Sequence, residues 1–152
     1  PFYGQGMNAS FEDVVVFDQT LEKYEGNWET VFREYEKARK KDTDAIADLA
    51  IDNFHEMKDH VANPIFQDKR KIEMTLEKTF PERYSSKYSL VTFNEHIGYR
   101  QAMIRGRAQD KAILNMLADG IISSDQVTEE TLKKVIKETE AILEDDRIAG
   151  LH

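Results

Sequence analysis

Apolar residues recur along most of the chain at the three- and four-residue spacing of amphipathic helices. The first stripe predicts a helix from about Met7 to Gly26, and its members are Phe11, Val14, Val15, Leu21 and Tyr24. A second helix is expected to follow Asn27, a favourable N-cap residue. The polar run 40–42 is interpreted as a break before a third helix, which begins near Thr43. That third helix carries a stripe formed by Ile46, Leu49, Ala50, Phe54, Met57 and Val61.

The second half of the chain continues the helical pattern with one interruption. A fourth helix is expected after the Asn-Pro pair at 63–64, and it ends before Pro81. Residues 84–93 have no helical period and are rich in aromatic and β-branched residues, which predicts an extended or irregular stretch. Asn94 is expected to cap a fifth helix, and a sixth begins near Thr128. The predicted fold class is therefore mainly α, with about six helices and one short non-helical stretch near 84–93.

Composition limits the classes of function. A chain of 152 residues can form one domain with a real core, and a formal net charge of −8 argues against a nucleic-acid partner. The basic clusters Lys69-Arg70-Lys71 and Arg105/Arg107 have acidic neighbours and are interpreted as solvated surface charge. The absence of cysteine excludes a disulfide framework and favours a reducing compartment. No apolar run approaches the roughly 20 residues of a membrane span, so no membrane contact is expected.

The first eight residues, PFYGQGMN, join a glycine-containing loop to the start of the first predicted helix. Gly4 and Gly6 allow a tight turn and close approach of a ligand. The helix N-terminus would present free N–H groups to an anion. By pattern alone the commoner interpretation is a glycine turn before a surface helix, because no strand precedes the loop and no P-loop lysine follows it.

The residues of this segment are more specific than its pattern. The string PFYGQGMNA and the following Phe11-Glu12-Asp13 resemble the last flavin-contacting segment of the kynurenine 3-monooxygenases, a family of class A FAD-dependent aromatic hydroxylases. The resemblance implies a C-terminal helical fragment of a larger α/β flavoprotein. Residues 1–120 would be its C-terminal helical part, and residues 121–152 would be a C-terminal helical extension.

The same resemblance implies which residues of the opening segment meet a ligand. The cofactor-binding positions would be Gly4, Gln5, Gly6, Met7 and Asn8. The substrate pocket beside the flavin would be lined by Pro1, Phe2 and Tyr3. Apolar and aromatic walls suit an aromatic substrate and exclude water.

Asn53 lies inside the apolar stripe of the third predicted helix. A buried amide without partners costs on the order of 1–3 kcal/mol, so a hydrogen-bond partner is expected. A structural amide satisfied by backbone or buried water is the more common explanation. In the family that the chain resembles, an asparagine in a matching NFHEM context contacts the amino-acid end of the substrate, which implies this role for Asn53.

Tyr88 lies in the predicted non-helical stretch, directly before the string SLVTF. A loop tyrosine most often covers a core, but its hydroxyl can also donate to a carboxylate. In the family a tyrosine before a similar string contacts the amino-acid moiety of the substrate. Tyr84 is a competing candidate, and the following Val-Thr-Phe favours Tyr88.

Neither a metal site nor a titratable catalyst is expected in this chain. The string HEMKDH resembles a zinc-protease helix, but His55 and His60 are five residues apart and would point about 140° apart on an α-helix. The resemblance implies that FAD, with NADPH as cosubstrate, carries the chemistry. We therefore predict no catalytic residue in this chain.

By resemblance, the parent protein hydroxylates L-kynurenine to 3-hydroxykynurenine with FAD, NADPH and O2, a step in tryptophan degradation and NAD biosynthesis. The chain lacks the strand and glycine fingerprint that hold the adenine half of FAD, so alone it is expected to be inactive and to retain no FAD. Its expected partner is the missing N-terminal flavin-binding domain, and exposed apolar faces around Phe11 and Asn53 predict self-association. Absence of a membrane segment indicates a soluble, cytoplasmic, bacterial enzyme.

Two alternatives remain open from the sequence. The parent enzyme could hydroxylate another aromatic acid, in which case Asn53 and Tyr88 would not affect kynurenine kinetics. The chain could also be an acidic helical interaction module without an enzymatic parent.

Overall fold

A computed structural model of the chain describes residues 3–60 and 63–150, and these residues form six α-helices. The helices are α1 Gly6–Lys23, α2 Trp28–His55, α3 Pro64–Thr79, α4 Lys87–Thr92, α5 Tyr99–Ala118 and α6 Glu129–Ile148, and a π-helical segment, Glu56–His60, continues α2. No strand occurs in the described part of the chain. The predicted fold class, mainly α with about six helices, is confirmed.

Local capping signals define several helix starts as predicted. The Asn27 side chain accepts a hydrogen bond from the Thr30 backbone N–H at 3.2 Å and begins α2. The start of α6 is a capping box in which Thr131 takes the place of the usual acidic residue, and its side chain accepts from the Thr128 backbone N–H at 3.1 Å. These starts depend only on neighbouring residues, which is why the sequence reveals them.

The predicted break at residues 40–42 is wrong, because α2 runs without interruption through this polar run. Lysine is a good helix former, and Lys40 forms an i,i+4 ion pair with Asp44 at 2.6 Å that supports the helix. Asp42 is also used, since its Oδ1 accepts a hydrogen bond from the Arg100 backbone N–H at 2.8 Å. A polar cluster at this position therefore serves a contact with another helix.

The predicted role of Asn94 as the cap of α5 is also wrong. The N-cap is Gly98, which has no side chain to offer, and Asp42 supplies the missing acceptor from α2. A Cβ at Gly98 would lie 2.9 Å from Asp42 Oδ2, so the glycine leaves room for this carboxylate. Asn94 instead accepts from the His96 backbone N–H at 2.9 Å within the preceding turn.

Within the stretch 84–93, residues 84–86 and Phe93 lie outside a helix, and the prediction of a non-helical stretch is wrong for α4. Ser86 begins α4 by accepting a hydrogen bond from the Ser89 backbone N–H at 3.3 Å. Three residues of this helix, at i, i+3 and i+4, are buried on one face: Lys87, Leu90 and Val91. The lysine in that face obscured the helical period in the sequence.

Helix α5 connects two apolar clusters. The first cluster lies between α3, the second half of α5 and α6, and it includes Ile72, Leu76, Ala112, Ile113, Leu132 and Val135. The second lies between α2, α4 and the first half of α5, and it includes Tyr3, Leu49, Leu90, Val91, Ala102 and Met103. Gly106 and Asp110 lie on α5 where one cluster gives way to the other.

The outer faces of α1 and α2 carry large apolar side chains. Phe11 is 65% exposed, and other exposed members are Val14, Trp28 and Phe32. The predicted self-association through such faces stays a prediction. Among the residues described, no helix has the length and apolar character needed to cross a membrane.

Candidate functional site

Three of the residues predicted to contact substrate lie together, although they are distant in sequence. The rings of Tyr3 and Tyr88 stack with centroids 5.9 Å apart and planes inclined by 25°. The Asn53 side chain lies next to the Tyr3 phenol and partly offsets the rise in its pKa. The other two predicted substrate residues, Pro1 and Phe2, lie outside the described residues. The opening segment, α2 and α4 thus meet at a cluster that we call the Tyr3–Asn53–Tyr88 site.

The Tyr3–Asn53–Tyr88 site combines two aromatic rings with an amide and two phenol hydroxyl groups. Tyr3 is buried, Asn53 is half-buried and Tyr88 is exposed, so the cluster reaches from the core to the surface. The amide and the Tyr88 hydroxyl can both donate to a carboxylate, and the rings offer apolar faces. The competing candidate, Tyr84, is 3% exposed and belongs to the apolar cluster between α3, α5 and α6. The structure therefore favours Tyr88.

Next to Tyr3, the N-terminus of α1 has open backbone donors. No side chain caps this helix and no acidic residue lies in its first turn. Gly4 has a φ of +73°, and a Cβ placed at Gly4 or Gly6 would meet nothing within 4 Å. Met7 and Asn8 are exposed. The residues predicted to bind the flavin therefore form an accessible helix start that fits a polar or anionic ring edge.

Gln5 holds this helix start against the rest of the fold. Its side chain is buried, and its Oε1 accepts a hydrogen bond from Asn8 Nδ2 at 2.9 Å. The Tyr99 hydroxyl lies 3.4 Å from the same Oε1 and 3.1 Å from Glu12 Oε1, so its one proton is shared between the two acceptors. Burial and the nearby Glu12 carboxylate raise the pKa of Tyr99 to about 12, which keeps its hydroxyl protonated as a donor. Only the backbone of Gln5 is therefore available to a cofactor.

Beneath the Tyr3–Asn53–Tyr88 site lies a buried ionic cluster that the sequence did not predict. Asp110 of α5 forms ion pairs with two ammonium groups, that of Lys69 at 2.7 Å and that of Lys87 at 2.6 Å. Lys69 also pairs with Glu73 at 3.2 Å, and Lys87 also pairs with Glu56. We call these five residues the ionic cluster. It occupies the boundary between the two apolar clusters.

The pKa directions in the ionic cluster follow from burial opposed by ion pairing. Burial alone would lower the pKa of Lys87, but Asp110 and Glu56 outweigh it and raise that pKa above its ordinary range. Burial would raise the pKa of Asp110, and the two lysines outweigh it and hold that pKa below its ordinary value. For Tyr3, burial raises the pKa of the phenol, and Lys87 offsets this in part. All three groups therefore keep their usual charge near neutral pH.

Lys69 corrects the interpretation of the cluster Lys69-Arg70-Lys71 as solvated surface charge. Arg70 and Lys71 are exposed, whereas Lys69 is buried. A signal was present in the sequence, because Lys69 lies on the same helical face as Ile72 and Leu76. A charged residue within an apolar stripe predicts a buried partner, since an unpaired buried charge is very costly.

Glu73 gives the fold a specific pH dependence. Burial, partly offset by Lys69, raises the pKa of Glu73 from 4.5 to about 7. A raised carboxyl pKa means that the folded chain holds the proton more tightly than the unfolded chain. The free energy of unfolding should therefore fall by up to about 3 kcal/mol as pH rises from about 4.5 to about 7. Urea unfolding of the chain across this range measures the loss.

The control for this pH dependence is a Glu→Gln substitution at an exposed position of the chain. Glu73→Gln should flatten the fall between pH 4.5 and 7, whereas Glu130→Gln, at an exposed position, should leave it unchanged. Asp110 does not interfere, because its lowered pKa confines its own loss of stability to more acid pH. An equal slope in the parent chain and in Glu73→Gln would refute the assignment.

The HEMKDH string spans the end of α2 and the π-helical segment. The α-helical angle used to reject a zinc site does not hold for a segment with i→i+5 hydrogen bonds. Among the described residues, no group of three or more His, Asp or Glu side chains could hold a metal ion. The absence of a metal site stays a prediction.

Comparison with known proteins agrees with the resemblance predicted from the opening segment. No protein-family model matches the chain. The chain is 44% identical over 127 residues to a kynurenine 3-monooxygenase of Myxococcus xanthus, which covers 84% of the chain and 27% of that protein. It is 41% identical over 137 residues to one of Flavobacterium psychrophilum, covering 90% of the chain and 30% of that protein. The resemblance to this family is confirmed.

A eukaryotic protein is also among the relatives, and like the two bacterial ones it is much longer than the chain. A kynurenine 3-monooxygenase of Dictyostelium discoideum is 36% identical over 156 residues, covering 88% of the chain and 34% of that protein. The chain thus spans about a third of the length of the curated relatives it matches. It matches one part of each of these proteins.

Proposed function

We propose that the chain is the C-terminal helical part of a kynurenine 3-monooxygenase, an FAD-dependent enzyme that hydroxylates L-kynurenine to 3-hydroxykynurenine with NADPH and O2. The observation that carries this proposal is the assembly of Tyr3, Asn53 and Tyr88 from three separate elements. The similarity to curated kynurenine 3-monooxygenases supports the choice of substrate.

In this proposal the Tyr3–Asn53–Tyr88 site binds the substrate rather than reacting with it. The Asn53 amide and the Tyr88 hydroxyl donate hydrogen bonds to the carboxylate of the amino acid. The Tyr3 ring forms a wall against the aromatic ring and helps to exclude water. Holding the ring in one orientation lowers the barrier by positioning alone, so no titratable catalyst is required in this part of the protein.

FAD, when bound, supplies the oxygen-transfer chemistry, and NADPH supplies the reducing electrons. On this chain, Gly4 and Gly6 allow close approach, and the backbone N–H groups at Met7 and Asn8 hold the edge of the flavin ring. The positive end of α1 favours negative charge there. The residues that hold the adenine half of FAD belong to an N-terminal flavin-binding domain, so the isolated chain retains no FAD and is inactive.

The same domain would cover the exposed apolar side chains of α1 and α2. Without it, these faces support self-association of the isolated chain. We propose that residues 1–120 form the helical part of the hydroxylase and that residues 121–152 form a C-terminal extension. The F. psychrophilum match covers 90% of the chain and so reaches past residue 120, which gives at least part of that extension a counterpart.

The substrate assignment predicts the kinetics of two variants in the full-length protein. Asn53→Ala and Tyr88→Phe should each raise the KM for L-kynurenine about tenfold, because each removes a donor to the substrate carboxylate. The value of kcat should change less. Steady-state formation of 3-hydroxykynurenine measures both constants.

Two matched controls change the same residue types away from the site. Asn115→Ala, on the exposed face of α5, and Tyr24→Phe, at the end of α1, should leave the KM unchanged. Unchanged KM in both site variants would remove L-kynurenine as the substrate and leave another aromatic acid as the alternative.

A further inference from the structure

The charged side chain of Lys87 is buried and is stabilised there by ion pairs. It is 5% exposed, and its ammonium group lies between Asp110 and Glu56. An ammonium group buried without carboxylates would be very costly. The location of this side chain is therefore fixed by where those two carboxylates lie.

The backbone of α5 is shaped to admit the same side chain. A Cβ at Gly106 would lie 2.7 Å from the Lys87 Cβ and would also overlap its Cγ. The lysine stem thus crosses α5 at the one residue without a side chain. Close helix approach at a glycine gives the stem a defined path to Asp110, one turn further along α5.

The Lys87 ion pair joins the two elements that carry the substrate-contacting residues. Lys87 directly precedes Tyr88 at the start of α4. Glu56 directly follows α2, one turn after Asn53. The contact between Lys87 and Glu56 therefore connects α4 to α2 next to both residues.

We infer that Lys87 is a positioning residue, whose ammonium group, held between Asp110 and Glu56, fixes the separation between Asn53 and Tyr88. Tyr3 lies between these two residues, next to the Asn53 side chain and stacked on the Tyr88 ring. The kinetic consequence rests on the proposed function, whereas the geometric one does not. Asp110 anchors the lysine from α5, and Glu56 transmits its position to α2.

The kinetic test uses the full-length protein. Lys87→Met should raise the KM for L-kynurenine about tenfold with a smaller change in kcat, because misplacement of the amino-acid contacts weakens binding. Lys69→Met is the matched control, since it removes the other buried ammonium group from the same carboxylate but has no contact with Glu56. Its KM should stay within about twofold of the parent value. An equal increase in KM in Lys87→Met and Lys69→Met would show that Lys87 only stabilises the fold, and it would overturn the inference.

The geometric test uses the 152-residue chain and does not depend on activity. Nuclear Overhauser contacts between the Tyr3 and Tyr88 rings should be present in the parent chain and in Lys69→Met, and absent in Lys87→Met. Glu56→Leu should also lose these ring contacts, because leucine offers no acceptor to the Lys87 ammonium group. This variant covers the case in which Lys87→Met fails to fold, because Lys87 then keeps its ion pair with Asp110. Ring contacts retained in Glu56→Leu and in any folded Lys87→Met would overturn the inference. A parent full-length protein that does not hydroxylate L-kynurenine would refute the proposed function, and these ring contacts would still decide the role of Lys87.

Discussion

Asp110→Asn is expected to destabilise the chain by about 3–5 kcal/mol, because it leaves two buried ammonium groups without their shared carboxylate. Lys69 and Lys87 are both buried, and each lies within 2.7 Å of Asp110. Their remaining partners are Glu73, whose pKa is already raised, and Glu56, which is partly exposed. Chemical unfolding of the parent chain and the variant measures the difference.

A second substitution separates the charge effect from a general loss of packing. Adding Lys69→Met to Asp110→Asn should recover part of the stability, because one of the two unpaired ammonium groups is removed. Asp125→Asn is the surface control, since its ion pair with Lys71 is solvent-exposed and should contribute less than about 1 kcal/mol. A loss below about 1 kcal/mol in Asp110→Asn would contradict the buried ion network.

Gly106→Ala is expected to destabilise the chain by about 1–3 kcal/mol, although alanine is the better helix former by about 1 kcal/mol. The added methyl group would lie 2.7 Å from the Lys87 Cβ, close to the backbone of α4 rather than at the flexible end of a side chain. Helix α4 must therefore move, and Tyr88 with it. Thermal unfolding of the 152-residue chain measures the loss.

Gly6→Ala is the control for the intrinsic helix preference of alanine. A Cβ at Gly6 meets nothing within 4 Å, and Gly6 is in the first turn of α1. The stability of the Gly6→Ala chain should be equal to that of the parent chain or slightly higher. Equal changes in stability in Gly106→Ala and Gly6→Ala would show that Gly106 is not needed to leave space for the Lys87 side chain.

Local sequence determines part of this fold, and long-range contacts determine the rest. The helix starts at Asn27 and Thr128 were predictable because capping involves residues three positions apart. The start of α5 was not, because its backbone donor at Arg100 is satisfied by Asp42, 58 residues earlier. The same contact explains why the polar run at 40–42 does not break α2.

In the candidate site, too, some features were predictable from local sequence and others depend on long-range contacts. Asn53 was identifiable because a polar residue interrupts an apolar stripe, and the residues around Tyr88 resemble a known family. The ionic cluster beneath them was missed because Lys69, Lys87 and Asp110 resemble ordinary surface charges when considered one at a time. Only the fold shows that all three meet in one buried place. Their positions within apolar helical faces were the available signal.

Binding of the amino-acid group of the substrate by Asn53 and Tyr88 is tested most directly by comparing two substrates of the full-length protein. L-kynurenine and 2-aminoacetophenone share the aromatic ketone, and only the first has the amino-acid group that Asn53 and Tyr88 are proposed to bind. We predict that kcat/KM for hydroxylation favours L-kynurenine by at least about 100-fold and that the Asn53→Ala/Tyr88→Phe double variant loses most of this preference. Equal kcat/KM for the two compounds, or a preference unchanged in the double variant, would contradict it.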